Sequence, residues 1–323
     1  MKINGLDAEL APIVVGTSSA LFTDETTPWI HTDLTQDEQF AAIDELWDMG
    51  LNTFDCSAGY GEKSLGAYLA SRGRADEAVI LTKGCHPNAY RNRVTPYDLL
   101  SDFHDSLAKL GRDYIDIYML HRDDPSVPVS QIIPVLDELQ KEGKLGIYGA
   151  SNWSMERVRE ANAFAAENGM DGFRAISPHY SLAHQIKDPW GGGVSLTGPE
   201  HADDRAWLIE QQMPVFAYSS MSGGFVSGAF RSDDRAGAKE FLSPPAMTGY
   251  YADENFERLA RAEQLAAERG VSVAQIAMAW LFNQEITVIP LQGGENAQMY
   301  AQTLEASKIE LSANEVAWLN LED

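Results

Sequence analysis

The chain has 323 residues, of which 44% are hydrophobic and 22% are charged, a mixture typical of a globular protein rather than a disordered or fibrous one. Its 48 acidic side chains outnumber its 24 Lys and Arg side chains, so the formal net charge at pH 7 is −24. Such an acidic protein repels phosphate backbones and anionic lipid headgroups, which argues against nucleic-acid and membrane partners.

Short apolar runs rich in β-branched residues recur along the chain, and helical periodicity follows each of them. The predicted strands lie at about residues 12–15, 53–54, 79–82, 114–120, 145–149, 174–177, 214–218 and 286–290. The predicted helices lie at about residues 36–49, 61–72, 95–110, 130–142, 154–168, 200–212, 253–283 and 296–306. This alternation predicts an α/β fold, a single (β/α)8 TIM barrel domain spanning residues 1–323.

The turn after the first predicted strand separates the barrel from an open, doubly wound sheet. A dinucleotide-binding sheet would carry a GxGxxG turn there, whereas Val15-Gly16-Thr17-Ser18 has one glycine, so we favour the barrel. Long irregular segments at about 182–200 and 219–252 follow predicted strands 6 and 7. Barrel loops at these places form the mouth of the active site, and simple surface insertions are the alternative.

The cysteines and the N-terminal segment bear on compartment and metal content. Cys56 and Cys85 form no CxxC pair, so a reducing compartment is the simpler interpretation. Acidic residues near the N-terminus interrupt any signal-peptide core, and no run approaches the roughly 18 apolar residues of a membrane span. We therefore expect a cytoplasmic protein. Because the Cys and His residues lack the paired spacing of zinc sites, we expect no metal.

Five short motifs occur in order at the ends of the predicted strands. They are Asp-x4-Tyr-Gly at 55–61, Thr-Lys at 82–83, the His at 121, Ser-Asn at 151–152 and Ala-Tyr-Ser at 217–219. Together they resemble the aldo-keto reductase family over nearly the whole chain. The resemblance implies an oxidoreductase that uses NADP(H) or NAD(H) to interconvert an alcohol and an aldehyde, ketone or sugar-derived carbonyl by hydride transfer.

The resemblance also implies a catalytic tetrad of Asp55, Tyr60, Lys83 and His121. Tyr60 would donate a proton to the carbonyl oxygen, and the Lys83 ammonium would lower its pKa from the usual value of about 10. Asp55 would keep Lys83 charged, and His121 would orient the carbonyl. Alternatives remain open: an ordinary loop tyrosine, a structural Lys83–Asp55 ion pair and a satisfied core histidine.

Coenzyme contacts are the second group of residues that the resemblance implies. They are Gly16, Thr17, Ser151, Asn152, Ser177, Tyr218, Ser219, Met221, Gly223, Gly224, Gln292, Gly294, Glu295 and Gln302. Ser177 stands where the family has Gln. No Lys or Arg occurs from 290 to 299 to meet a 2′-phosphate, and Glu295 can accept from a ribose diol, so we lean toward NAD(H). The alternative for Glu295 is an ordinary acidic residue at a helix start.

The substrate is expected to be a small carbonyl or alcohol molecule. Phe22, Trp29, Trp153 and Trp190 are the candidate walls of its pocket, and packing is the alternative for Trp153. The nearby Arg91, Arg93 and Arg122 can offset the acidic surface. One alternative function is a nucleotide-binding, redox-sensing or regulatory barrel with little turnover. An isomerase or lyase on the same barrel is more remote. The pattern leaves open the physiological substrate, the reaction direction, the oligomeric state and a link between acidity and a saline habitat.

Overall fold

The structure is a computed structural model that describes residues 1–24 and 27–322. Its strands follow one another in chain order around a closed barrel, and paired strands run parallel. Within the described residues they are β1 (Val14–Gly16), β2 (Thr53–Asp55), β3 (Val79–Gly84), β4 (Ile115–Leu120), β5 (Leu145–Ser151), β6 (Ala175–Ser177), β7 (Val215–Ala217) and β8 (Val288–Gln292). The predicted (β/α)8 barrel is thereby confirmed, and the open sheet is excluded.

Helices follow the strands as the periodicity predicts. Within the described residues they are α1 (Gln36–Asp48), α2 (Glu62–Arg72), α3 (Pro96–Leu110), α4 (Val129–Lys141), α5 (Met155–Glu167), α6 (Ala202–Glu210), α7 (Arg235–Phe241), α8 (Pro244–Tyr250), α9 (Asp253–Arg269), α10 (Val273–Phe282), α11 (Ala297–Ala306) and α12 (Ala313–Leu319). Thr35, Thr95 and Ser154 each accept a hydrogen bond from a backbone N–H of the following first turn. Each such cap stabilises its helix by about 1 kcal/mol.

The helices differ from the prediction in two regions. The predicted helix 253–283 is two helices, because Gly270 ends α9 with a φ of +68° and Ser272 caps α10. The segment 219–252 is irregular only in part, since α7 and α8 lie within it. The loop after β6 is long as predicted, and a 3-10 turn at Pro199–His201 precedes α6.

The chain divides into two compact units. The first comprises Met1–Ser177 and Leu291–Tyr300, and the second comprises Pro178–Pro290 and Ala301–Asp323. All six residues of both β3 and β4 in the first unit are buried, as expected for parallel strands covered by helices. Within the described residues, no helix combines the length and apolar character needed to cross a membrane. A single domain over residues 1–323 stays a prediction.

Candidate active site

A tight turn between β2 and α2 holds Tyr60. The Ser57 N–H donates to the Tyr60 carbonyl oxygen at 2.9 Å, and the Tyr60 N–H donates back to the Ser57 carbonyl oxygen at 3.0 Å. Gly61 follows with a φ of +76°, and a Cβ there would lie 1.8 Å from Thr17 Oγ1. Thr17 is itself fixed, because its hydroxyl donates to the Asp55 carbonyl oxygen at 2.9 Å. The turn therefore requires glycine and sets Tyr60 beside the end of β2.

The Lys83 ammonium joins the Asp55 carboxylate to the Tyr60 phenol. Lys83 Nζ donates to Asp55 Oδ1 in a short ion pair and to the Tyr60 hydroxyl oxygen at 3.1 Å. The Tyr60 hydroxyl also lies 3.5 Å from Asp55 Oδ2. The Lys83 and Asp55 side chains are only 4% and 7% exposed. Three of the four predicted tetrad groups thus meet in one buried hydrogen-bonded cluster.

Burial controls the protonation of this cluster. Burial opposes the ammonium form of Lys83, but Asp55 and then Tyr60 raise the pKa of Lys83 above its usual value. Burial, followed by the charge of Asp55, raises the pKa of Tyr60 to about 12, although Lys83 opposes this shift. Lys83 lowers the pKa of Tyr60 as expected, but burial and the charge of Asp55 outweigh its effect. The phenol holds its proton throughout the neutral range.

His121 is the first residue after β4 and lies next to Tyr60. The two ring centroids are 6.3 Å apart at an interplanar angle of 77°. Burial, followed by the charges of Lys83, His86 and Arg122, lowers the pKa of His121 well below its usual value, so the ring is neutral. Its Nδ1 atom is buried without a hydrogen-bond partner in the described part of the chain. His121 is therefore not a satisfied core histidine.

Two of four predicted coenzyme contacts of the first unit carry a buried oxygen atom with no hydrogen-bond partner in the described residues. The Ser151 hydroxyl donates to the Ser177 carbonyl oxygen at 2.9 Å, and Asn152 Nδ2 donates to Ser151 Oγ at 3.0 Å. Ser177 Oγ and Gln292 Oε1 are buried and, in the described part of the chain, have no hydrogen-bond partner. Because buried polar atoms are nearly always paired, these two fit a ligand with complementary hydrogen-bonding groups. A carboxamide and ribose hydroxyls have that character.

The remaining first-unit candidates lie around β1 and the segment after β8. Gly16 ends β1 next to the Gln292 main chain, and Gly294 precedes α11. Glu295 is exposed. Gln302 on α11 is also exposed, and this residue belongs to the second unit. The next cation, Lys308, is paired with Glu305 at 2.7 Å. No Lys or Arg is therefore close to Glu295 in the sequence.

The second unit carries the candidates that follow β7. Tyr218 is half-buried, and its ring centroid lies 6.0 Å from that of His179. Ser219, Met221, Gly223 and Gly224 form or flank a 3-10 turn at Ser222–Gly224. The Gly224 N–H donates to the Met221 carbonyl oxygen at 2.9 Å, so this backbone donor is used within the loop. Contact between these residues and a coenzyme stays a prediction.

The four candidate substrate residues have different surroundings. Phe22 has no exposed surface and packs edge-on against Phe54 with the ring centroids 6.0 Å apart. Trp153 is 3% exposed and packs against Phe173 at 5.2 Å. Both rings are therefore buried, and Trp153 Nε1 has no hydrogen-bond partner in the described residues. A substrate contact of Phe22 or Trp153 stays a prediction. Trp29 and Trp190 are 60% and 53% exposed.

Two further features of the first unit escaped prediction. The exposed His86 ring packs edge-on against His121 with the centroids 4.9 Å apart. The position of His86, three residues beyond the Thr-Lys motif, is the sequence feature that could have predicted this contact. Buried Glu62 accepts from the Thr82 hydroxyl at 2.6 Å, while Lys109 lies 3.4 Å from Glu62 and donates to the Ala58 carbonyl oxygen at 2.9 Å. This network braces the loop that carries Tyr60.

The arginines near the predicted mouth are mostly neutralised. Arg91 pairs with Asp98 at 2.6 Å, and Arg93 pairs with Asp102 at 2.5 Å. Arg122 Nη1 donates to the His121 carbonyl oxygen at 2.9 Å, and in the described residues it has no carboxylate within ion-pairing distance. Among these three arginines, only Arg122 keeps its charge available for a substrate.

Comparisons with known proteins identify the family of this chain. The Aldo/keto reductase family model matches residues 12–320. The aldo-keto reductase str7 of Strobilurus tenacellus is 26% identical over 289 residues, covering 87% of this chain and 80% of the relative. The aldo-keto reductase yakc [NADP(+)] of Schizosaccharomyces pombe is 25% identical over 285 residues, covering 84% of this chain and 78% of the relative. A putative voltage-gated potassium channel subunit beta of that organism is 22% identical over 284 residues, covering 82% of this chain and 77% of the relative. The chain belongs to the aldo/keto reductase family and is an NAD(P)-dependent oxidoreductase acting between carbonyl and alcohol.

Proposed function

We propose that Tyr60 is the proton donor of this oxidoreductase and that Asp55, Lys83 and His121 complete its catalytic set. The observation that carries the proposal is the Lys83 ammonium, which lies 3.1 Å from the Tyr60 hydroxyl while it is paired with Asp55. A phenol in hydrogen-bond contact with a buried cation is poised for general acid catalysis.

In carbonyl reduction, the Tyr60 phenol gives its proton to the substrate oxygen. A phenol with a pKa near 12 keeps that proton until the carbonyl oxygen becomes strongly basic. The phenolate that remains is stabilised by the adjacent Lys83 ammonium, and Asp55 holds that ammonium in its charged form. Neutral His121 donates from its ring N–H toward the same oxygen. A nicotinamide coenzyme, when bound, would supply the hydride in this direction and accept it in the reverse.

We further propose that Ser151, Asn152, Ser177 and Gln292 hold the coenzyme from the first unit. The unsatisfied buried oxygens of Ser177 and Gln292 support this assignment. The lean toward NAD(H) depends on the exposed Glu295 and on the lack of Lys or Arg in residues 290–299. The comparisons lend it no support, since one relative is named for NADP(+). Titrating both nucleotides and comparing their dissociation constants tests it, and tighter binding of NADP(H) would overturn it.

The Tyr60→Phe variant tests the proton donor. We expect its kcat to fall about 10²- to 10⁴-fold, because the general acid is lost. The dissociation constant of the coenzyme should stay within about twofold, since the phenyl ring keeps its packing. Steady-state absorbance measurements with a panel of aldehydes and ketones give the first quantity, and fluorescence titration gives the second.

Tyr118→Phe is the matched control for this variant. The Tyr118 hydroxyl is buried and has no hydrogen-bond partner in the described residues, so its removal should leave turnover and folding unchanged. A Tyr60→Phe enzyme that keeps most of its rate would show that another group donates the proton.

A second candidate function is a nucleotide-binding regulatory barrel with little turnover. The relative named as a putative potassium channel subunit beta favours it. The two candidates differ in rate, since the regulatory barrel would bind NAD(P)H and yet reduce no carbonyl of the panel faster than about 10⁻² s⁻¹, far below the usual enzyme range of about 1 to 10³ s⁻¹.

A further inference from the structure

His179 is a fully buried histidine whose two ring nitrogens are both engaged within the second unit. Nδ1 lies 2.9 Å from Ser195 Oγ, and Nε2 lies 3.0 Å from Ser181 Oγ. The Ser181 hydroxyl donates to the Ala183 carbonyl oxygen at 2.8 Å. None of these four residues belongs to the predicted tetrad or the predicted coenzyme contacts.

The hydrogen-bond partners of His179 determine which atoms in this series of hydrogen bonds carry the protons. A serine hydroxyl has a single proton, and that of Ser181 is directed at a carbonyl oxygen, which can only accept. Ser181 Oγ must therefore accept from His179, so Nε2 carries the ring proton. His179 Nδ1 must then accept from the Ser195 hydroxyl, which in turn accepts from the Thr197 hydroxyl at 2.7 Å. A neutral ring is required, and burial lowers the pKa of His179 to about 3.

Ser181 also connects His179 to the segment after β7. The Ser222 hydroxyl is fully buried and donates to Ser181 Oγ at 2.9 Å. Ser222 begins the 3-10 turn and has a φ of +54°, and Ser219 has a φ of +52°. Non-glycine residues rarely adopt such φ values because they are strained there, so the segment keeps its shape only if contacts outside it hold it. The Ser222–Ser181 hydrogen bond is a buried contact of that kind.

We propose that His179 is a positioning residue for the coenzyme, acting through Ser181 and Ser222 to fix the shape of the segment Tyr218–Gly224. This inference rests on the proposed function and on the predicted contact between that segment and the coenzyme. His179 orients Ser181 through its Nε2–H, Ser181 accepts from Ser222, and Ser222 holds the turn. None of these three residues belongs to the proposed catalytic set.

Variants of the two serines test the connection. Ser181→Ala and Ser222→Ala each remove the hydrogen bond between the loops, and each should raise the coenzyme dissociation constant about three- to tenfold. The double variant should bind no more weakly than the worse single variant, because both remove the same bond. At saturating coenzyme, kcat should change less than twofold, since the tetrad is untouched.

Ser195→Ala is the matched control, because it removes a hydrogen bond from the opposite nitrogen of the same ring. We expect it to lower the thermal midpoint about as much as Ser181→Ala while leaving the coenzyme dissociation constant within twofold. At His179, glutamine places an amide N–H near the Nε2 position and asparagine does not. His179→Gln should therefore bind coenzyme like the wild type, and His179→Asn should bind like Ser181→Ala.

Fluorescence titration with NADH and with NADPH provides the readout for all variants. If the wild type binds neither nucleotide, the proposed function fails and this inference fails with it. If the wild type binds and the serine variants bind equally well, only the positioning role is wrong. Effects of Ser181→Ala and Ser222→Ala that multiply in the double variant would overturn it too, as would a Ser195→Ala enzyme that loses equal affinity.

Discussion

The buried ion pair between Asp55 and Lys83 has a structural interpretation and a catalytic one. Replacing Asp55 alone by Asn leaves a buried ammonium without its counter-charge, so we expect a loss of about 3–5 kcal/mol in the free energy of unfolding. Replacing both residues, Asp55→Leu with Lys83→Met, removes the two buried charges together and should restore most of that stability. Urea unfolding measures both changes.

Turnover separates the two interpretations. The Asp55→Leu/Lys83→Met enzyme should keep most of the wild-type stability and still reduce carbonyls at least about 10²-fold more slowly, because no cation stabilises the Tyr60 phenolate. If the double variant is both stable and active, the ion pair only closes the end of the barrel. If it is unstable, the pair contributes more to folding than a buried ion pair usually does.

Coenzyme selection makes a separate prediction at Glu295. If its carboxylate accepts hydrogen bonds from the ribose diol and repels a 2′-phosphate, Glu295→Gln should bind NADPH about two- to tenfold more tightly and NADH more weakly. The ratio of the two dissociation constants is the measurement. Glu45→Gln, on an exposed residue of α1, makes the same change of charge as a control. Equal shifts in both variants would mean that overall charge alone sets the ratio.

The sequence predicted which side chains meet at Tyr60, because Asp55 and Lys83 end neighbouring parallel strands. It did not predict the direction of the Tyr60 pKa shift, which depends on burial depth and on opposing charges. The burial of Phe22 and Trp153 could not be predicted for a related reason. An aromatic residue near a strand end has the same sequence pattern whether it faces a cavity or the core.

At the scale of elements, the contact between α2 and α3 depends on Gly66. A Cβ on this buried residue would lie 2.2 Å from the Lys109 carbonyl oxygen of α3. Gly66→Ala gains about 1 kcal/mol of helix propensity, but the backbone clash should outweigh it and cost about 1–3 kcal/mol net. Ala67→Gly, exposed in α2, should lose about 1 kcal/mol from propensity alone. A Gly66→Ala protein as stable as the wild type in urea would mean that the helices separate easily.

Strands were more predictable than helices in the second half of the chain. A buried parallel strand is a continuous apolar run, so all eight strands overlap their predicted positions. The segment Ser243-Pro244-Pro245 has the composition of a loop, yet Ser243 caps α8 and the prolines occupy its first turn. The helix α12 also escaped prediction, although Ser312 and Glu315 form a capping box there.

At the scale of the whole molecule, charge imbalance dominates the electrostatics. If each of the 24 Lys and Arg side chains paired with a different acid, 48 − 24 = 24 acidic side chains would still have no basic partner. Exposed pairs such as Lys308–Glu305 contribute about 0–1 kcal/mol each, so they cannot offset repulsion among so many acids. Self-repulsion of this kind destabilises a compact state.

Salt should therefore stabilise this protein. Raising the ionic strength from about 0.01 M to about 0.15 M shortens the Debye length from about 30 Å to about 8 Å, which screens the acids on the surface. The buried Lys83–Asp55 pair is screened much less, so its contribution persists. We expect the urea midpoint to rise with NaCl over this range. Glu45→Lys, which changes the net charge from −24 to −22, should raise the midpoint at low salt and lose that advantage at high salt. A midpoint that falls with salt would mean that ion pairs outweigh repulsion between acids.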